Sequence, residues 1–127
     1  MIKLTFALTR LPSLSRAEFQ DYWYNTHGPL VATVSQVLGI RRYVQMHSAP
    51  DEVSDSLRAS RGAPPAYDGV AQLWYDSLDA LAVTMSGPGA REAADLLLED
   101  ERRFIDHARS PLWWGEEKPI FHHEDRG

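Results

Sequence analysis

The apolar residues at the start of this chain recur at two different periods, with Leu11-Pro12-Ser13 between them. Ile2, Leu4, Phe6 and Leu8 take every second position, the period of a strand with one buried face. Ser15-Arg16-Ala17-Glu18 then matches a capping box, in which a serine hydroxyl and a glutamate three residues on satisfy each other's backbone amides. Phe19, Tyr22, Trp23, Thr26, His27, Leu30 and Val34 follow at helical spacing. Neither a one-faced strand nor a one-striped helix can bury its apolar side alone, so the two must pack together. Gly28-Pro29 interrupts the stripe. Proline has no N–H, so the Asn25 carbonyl loses its donor. The helix is expected either to kink there or to end at His27, with a new one starting on Pro29. Gly39 suits the left-handed residue that closes such a segment.

The rest of the chain repeats these periods. Ile40 to His47 reads as a second strand, with Ile40, Arg42, Val44 and Met46 on one face and Arg41, Tyr43, Gln45 and His47 on the other. Residues 48–67, rich in Ser, Ala, Pro, Asp and Arg, read as a long irregular segment. Asp68-Gly69 introduces a third strand, Val70 to Tyr75. Helical stripes follow at Leu78, Leu81, Ala82 and Met85 and again over Ala90 to Glu99, with a further turn over Asp100 to Asp106. A final strand is expected within Glu117 to His122, where Pro119 suits an edge position. Strand, helix, strand, strand, helix, strand is the order of a single α+β domain over residues 1–127. It predicts a ferredoxin-like antiparallel sheet with helices on one face. Phe6, Leu8, Leu73 and Trp74 make both sheet faces apolar, and the uncovered face is expected to pack against a second copy.

Composition removes whole classes of function. The 127 residues include no cysteine, which excludes disulfides, thiolate nucleophiles and cysteine-ligated metals. The formal net charge is −5, which argues against a nucleic-acid or anionic-membrane partner, because phosphate binding needs a basic face. No apolar run approaches the roughly 20 residues that span a bilayer, and Met1 to Phe6 lacks the features of a signal peptide. A cytoplasmic protein is the expectation.

Histidine, tyrosine and aspartate carry the candidate chemistry. His27 lies on an apolar stripe beside a helix break; it reads either as an acid–base in a dry pocket or as a histidine capping the last carbonyls. Tyr43 reads as a donor to a substrate carbonyl or enolate, or as a packed strand tyrosine. Asp100 reads as an N-cap, or as a carboxylate that orients His27 or a substrate hydroxyl. Trp23 and Trp74 read as pocket walls or as core residues, Phe104 as a pocket wall, and His47, near a strand end, as a substrate-binding candidate or a solvent-facing residue. Trp113-Trp114 is expected at a dimer edge or beneath the final strand. Adjacent His122-His123 would point to opposite faces of a strand, so they read as solvated tail and no metal site is expected. Gly87-Pro88-Gly89 lacks the lysine and preceding strand of a phosphate-binding loop.

Four blocks together resemble the EthD family of dimeric α+β barrels. They are Tyr22-Trp23-x-x-x-His27-Gly28-Pro29, Arg42 to His47, Asp68-Gly69-Val70-Ala71 followed by Trp74, and Asp100-x-x-x-Phe104-x-Asp106. The resemblance implies a ferredoxin-like subunit, dimerisation through the sheets, and a pocket between sheet and helices. Neighbouring families include muconolactone isomerases, polyketide cyclases, small monooxygenases and haem-degrading enzymes. Resemblance to the methylmuconolactone isomerase group implies functional roles for His27 and Tyr43; that group also uses cysteine, which this chain lacks. The expected function is acid–base catalysis without a bound cofactor, of isomerase, lyase or cyclase type, on a small hydrophobic oxygenated metabolite. The alternative is a dimer that binds such a metabolite without chemistry.

Overall fold

Strands β1 (Ile2–Leu8), β2 (Arg42–His47), β3 (Gly69–Tyr75) and β4 (Leu112–Glu116) form one antiparallel sheet ordered β2-β3-β1-β4 in the computed structural model, which describes residues 1–49 and 52–124. Helices α1 (Arg16–Tyr22), α2 (Gly28–Leu38), α3 (Glu52–Arg61), α4 (Leu78–Met85) and α5 (Ala90–Glu101) connect them. This is the ferredoxin-like α+β arrangement. No helix among the described residues is long and apolar enough to cross a membrane.

Local chemistry sets several boundaries. The Ser15 hydroxyl accepts from the Glu18 N–H and the Glu18 carboxylate accepts from the Ser15 N–H, so the capping box starts α1. Gly39 ends α2 at φ +72°, where a Cβ would be strained. The Gly28-Pro29 interruption neither breaks nor ends the helix. Trp23–His27 instead widens into a π-helical turn, and the chain continues into α2 with its proline in the first turn, where no donor is needed.

Two expected boundaries are corrected. The segment read as irregular contains α3, an exposed helix whose Glu52 and Asp55 open it and whose Arg58 and Arg61 close it, each matching the helix dipole. The last strand is Leu112–Glu116, not Glu117 to His122: Leu112, Trp113 and Trp114 pair with Phe6, Thr5 and Leu4. Residues 117–124 form no regular structure, and Ile120 and Phe121 are exposed.

The end of β1 is tied down by a buried carboxylate. Asp68 Oδ2 accepts from the Arg10 N–H at 2.9 Å, and Oδ1 accepts from Arg10 Nη1 at 2.7 Å and Arg16 Nε at 3.3 Å. Burial alone would raise the Asp68 pKa, but these donors outweigh it and hold it below the ordinary carboxylate value. The folded-state pKa is therefore the lower one. Its stabilisation is complete above the unfolded value of about 4 and is lost as pH falls through the folded value. Asp68→Asn is expected to destabilise the protein at neutral pH and to flatten that acid limb, read as urea midpoint against pH. A uniform drop with the acid limb intact would refute the assignment to this carboxylate.

Candidate active site

The apolar interior is divided. One cluster gathers Phe6, Leu8, Phe19, Trp23, Ala71, Phe104 and Ile105; another gathers Leu38, Ala90 and Ala93. Between sheet and helices, bordered by residues of both clusters, lies a cavity of about 420 Å³. Leu4, Phe6, Tyr43, Leu73 and Tyr75 form its floor; α2, α4 and α5 supply Val31, Leu81 and Leu97. Leu98, Leu112 and Trp114 also line it and are exposed to solvent, which puts the mouth between α5 and the β4 edge.

His27 stands on the cavity wall with only 5% of its surface exposed. Its Nδ1 lies 2.8 Å from Asp100 Oδ2, and the Tyr22 hydroxyl donates to Asp100 Oδ1 at 2.6 Å. An ionised carboxylate only accepts, so the neutral imidazole carries its proton on Nδ1. Nε2, the basic nitrogen, has no protein partner among the described residues. Phe104, fully buried, packs against the His27 ring at 4.9 Å and the Tyr22 ring at 5.2 Å.

The π turn organises the opposite side of this arrangement. The Trp23 carbonyl accepts from the Gly28 N–H, five residues on, and from Gln45 Nε2 at 2.9 Å. A Cβ at Gly28 would lie 3.2 Å from that Gln45 nitrogen, so glycine there lets the strand residue approach the helix. Gln45 Nε2 also donates to the Tyr43 hydroxyl at 2.8 Å. Burial pushes the Tyr43 pKa up, against hydrogen bonds from the Gln45 and Trp23 side chains. The phenol therefore keeps its proton at neutral pH, and its oxygen is already an acceptor, which leaves that proton for a guest in the cavity.

The expected site residues fall into two groups. His27, Tyr43 and Trp23 line the cavity, and Asp100 holds His27 from behind. Asp100 is not an N-cap; it sits buried in the last turn of α5. Trp74, Phe104 and His47 do not line the cavity, and the expectation that they would is corrected. Trp74 is on the other sheet face, between Lys3 Nζ (5.2 Å) and the Arg42 guanidinium (4.6 Å), with its indole N–H donated to Glu117. Its neighbour Leu73 faces the cavity, and strand alternation forces Trp74 away. Phe104 supports His27 from below. His47 stacks on Trp23 at 4.5 Å beyond the cavity, and its Nε2 is 2.7 Å from Gln45 Oε1. Glu101, His107, Tyr75 and the positioning residue Gln45 were not expected. Gln45 shares a strand face with Tyr43, and that parity was the one signal available.

Comparison with known proteins follows the same outline. The model of the EthD domain family matches residues 11–108. The chain is 25% identical over 114 residues to Dehydratase ustZ of Ustilaginoidea virens, covering 87% of this chain and 79% of that protein. It is 27% identical over 120 residues to the conidial pigment biosynthesis dehydratase EthD of Metarhizium robertsii, covering 91% and 81%. Among solved structures, an EthD family protein from Bacillus halodurans superposes with a TM-score of 0.60 at 19% identity, covering 93% of this chain and 99% of that one.

Proposed function

We propose that this chain, which belongs to the EthD family, is an acid–base lyase that removes water from a small, largely apolar β-hydroxy carbonyl compound of secondary metabolism. The observation that carries this reading is the Asp100–His27 pair, which leaves Nε2 unengaged on the wall of an apolar cavity shared with the Tyr43 phenol. Loss of water next to a carbonyl starts with removal of an acidic C–H. Asp100 holds His27 in the tautomer whose Nε2 accepts that proton. The negative charge then moves to the carbonyl oxygen, and the Tyr43 phenol is a donor fixed in place for it. Only protons and a hydroxide move, and these side chains can carry them. Two relatives of similar length, named as dehydratases, support the choice of elimination over isomerisation or cyclisation.

A second copy belongs to the same proposal. The sheet face opposite the cavity carries Thr5, Val44, Val70, Gln72 and Trp74. Packing two such faces together gives a homodimer with both cavities outward.

A simple probe tests the activity. The aldol of acetone with benzaldehyde is a β-hydroxy ketone, and its dehydration gives a conjugated enone that is followed by absorbance. The protein is expected to accelerate enone formation over buffer, and Tyr43→Phe to lower kcat by about 10²-fold, the usual cost of losing one oxyanion donor. If the protein shields an apolar dye in its cavity but forms enone no faster than buffer, it is a binding protein, and the catalytic reading is wrong.

A further inference from the structure

A second histidine–carboxylate pair faces the same cavity. His107 Nε2 lies 3.0 Å from Glu101 Oε1, and both residues line the cavity wall. Glu101 follows Asp100 in the last turn of α5. Consecutive helical residues project about 100° apart, so this one turn aims a carboxylate at each of two histidines. Phe6, on the cavity floor, stacks on the His107 ring at 6.3 Å. His27 and Tyr43 line the same cavity as Glu101 and His107. The remaining wall is mostly aliphatic and aromatic. A leaving hydroxyl inside such a cavity has few groups from which to draw a proton.

We infer that His107, positioned by Glu101, is the acid that protonates the departing hydroxyl, while His27 is the base. The inference rests on the elimination reading above. The atoms balance as follows. His27 Nε2 takes the proton from the carbon beside the carbonyl. The electrons of that C–H bond become the new C=C bond, through an enolate held by Tyr43. The C–O bond of the hydroxyl breaks, and the departing oxygen takes a proton from Nδ1 of the His107 imidazolium to leave as water. Glu101 occupies Nε2, which leaves Nδ1 as the nitrogen with a proton to give. Afterwards His27 has gained the proton that His107 lost, and exchange with solvent restores both.

The test compares leaving groups. The probes are the acetone–benzaldehyde aldol and its acetate ester, since acetate departs without protonation. His107→Gln is expected to lose about 10²-fold on the hydroxyl probe, the scale of one general acid, and to stay within a few-fold of wild type on the ester. His27→Asn is expected to lose both. Glu101→Gln, nearly isosteric, is expected to follow His107→Gln through kcat with KM unchanged, and it carries the test should His107→Gln not fold. Wild-type rates for His107→Gln and Glu101→Gln on the hydroxyl probe overturn the assignment. So does an equal loss on both probes, which marks the pair as a structural pin for the turn at His107–Arg109. In either case the His27 reading stands on its own variant. A wild-type protein inert toward both probes overturns the elimination reading, and this inference with it.

Discussion

His27→Asn is expected to slow elimination from the β-hydroxy ketone by about 10²–10⁴-fold, the range of a positioned general base. The loss should fall on kcat, because the apolar residues that make up the rest of the cavity wall are untouched. The change also replaces a partner of a buried carboxylate. Asp100 keeps its bond from Tyr22, and the asparagine amide N–H, attached where Nδ1 was, can replace the one from His27, so the stability cost is expected to stay below the roughly 1–3 kcal/mol of a lost bond. Rate and melting temperature must therefore be measured on the same sample, below the onset of unfolding. Asp100→Asn is expected between wild type and His27→Asn: the imidazole remains but is no longer fixed in one tautomer. Full activity in His27→Asn would refute the acid–base assignment, whatever happens to stability.

Gly69→Ala carries the largest expected effect on stability. A Cβ there would sit 2.4 Å from Cζ3 and 2.8 Å from Cη2 of Trp23, and 2.9 Å from the Met46 carbonyl oxygen. None of these can yield cheaply. The Trp23 ring is 1% exposed and wedged between Phe19 and His47, and Met46 is backbone in the neighbouring strand. The cost should reach the upper end of overpacking penalties, about 3 kcal/mol, or a melting temperature lowered by roughly 10 °C. A double-mutant cycle separates the two clashes. In a Trp23→Phe background, which removes the outer indole ring, Gly69→Ala should cost much less. An undiminished cost there would place the strain at the Met46 carbonyl instead. Activity should fall alongside stability, because the Trp23 carbonyl holds Gln45, which in turn donates to the Tyr43 hydroxyl.

The fold was legible where neighbours close in sequence decide the outcome. Alternation marked β1 to β3, the Ser15–Glu18 box marked the start of α1, and Gly39 marked the end of α2. The β4 boundary was misread because Leu112 to Glu116 has no alternation of its own strength. It is a strand through pairing with β1, more than a hundred residues earlier. The α3 helix was missed because its large apolar residues are only Val53 and Leu57, both exposed, set among turn-forming Ser and Asp.

The site divides the same way. His27 was visible as an unusual residue on an apolar helical stripe and Tyr43 as an aromatic on the polar face of its strand, and strand parity would have moved Trp74 to the far side of the sheet. What sequence alone determined was which face each residue occupies within its own element, because a strand repeats every two residues and a helix every 3.6. Tertiary structure alone decided that Asp100 meets His27 across 73 positions, that Glu101 meets His107 around a turn, and that two apolar clusters leave room between them. Those pairings depend on how the helices settle on the sheet, and no local period records that distance.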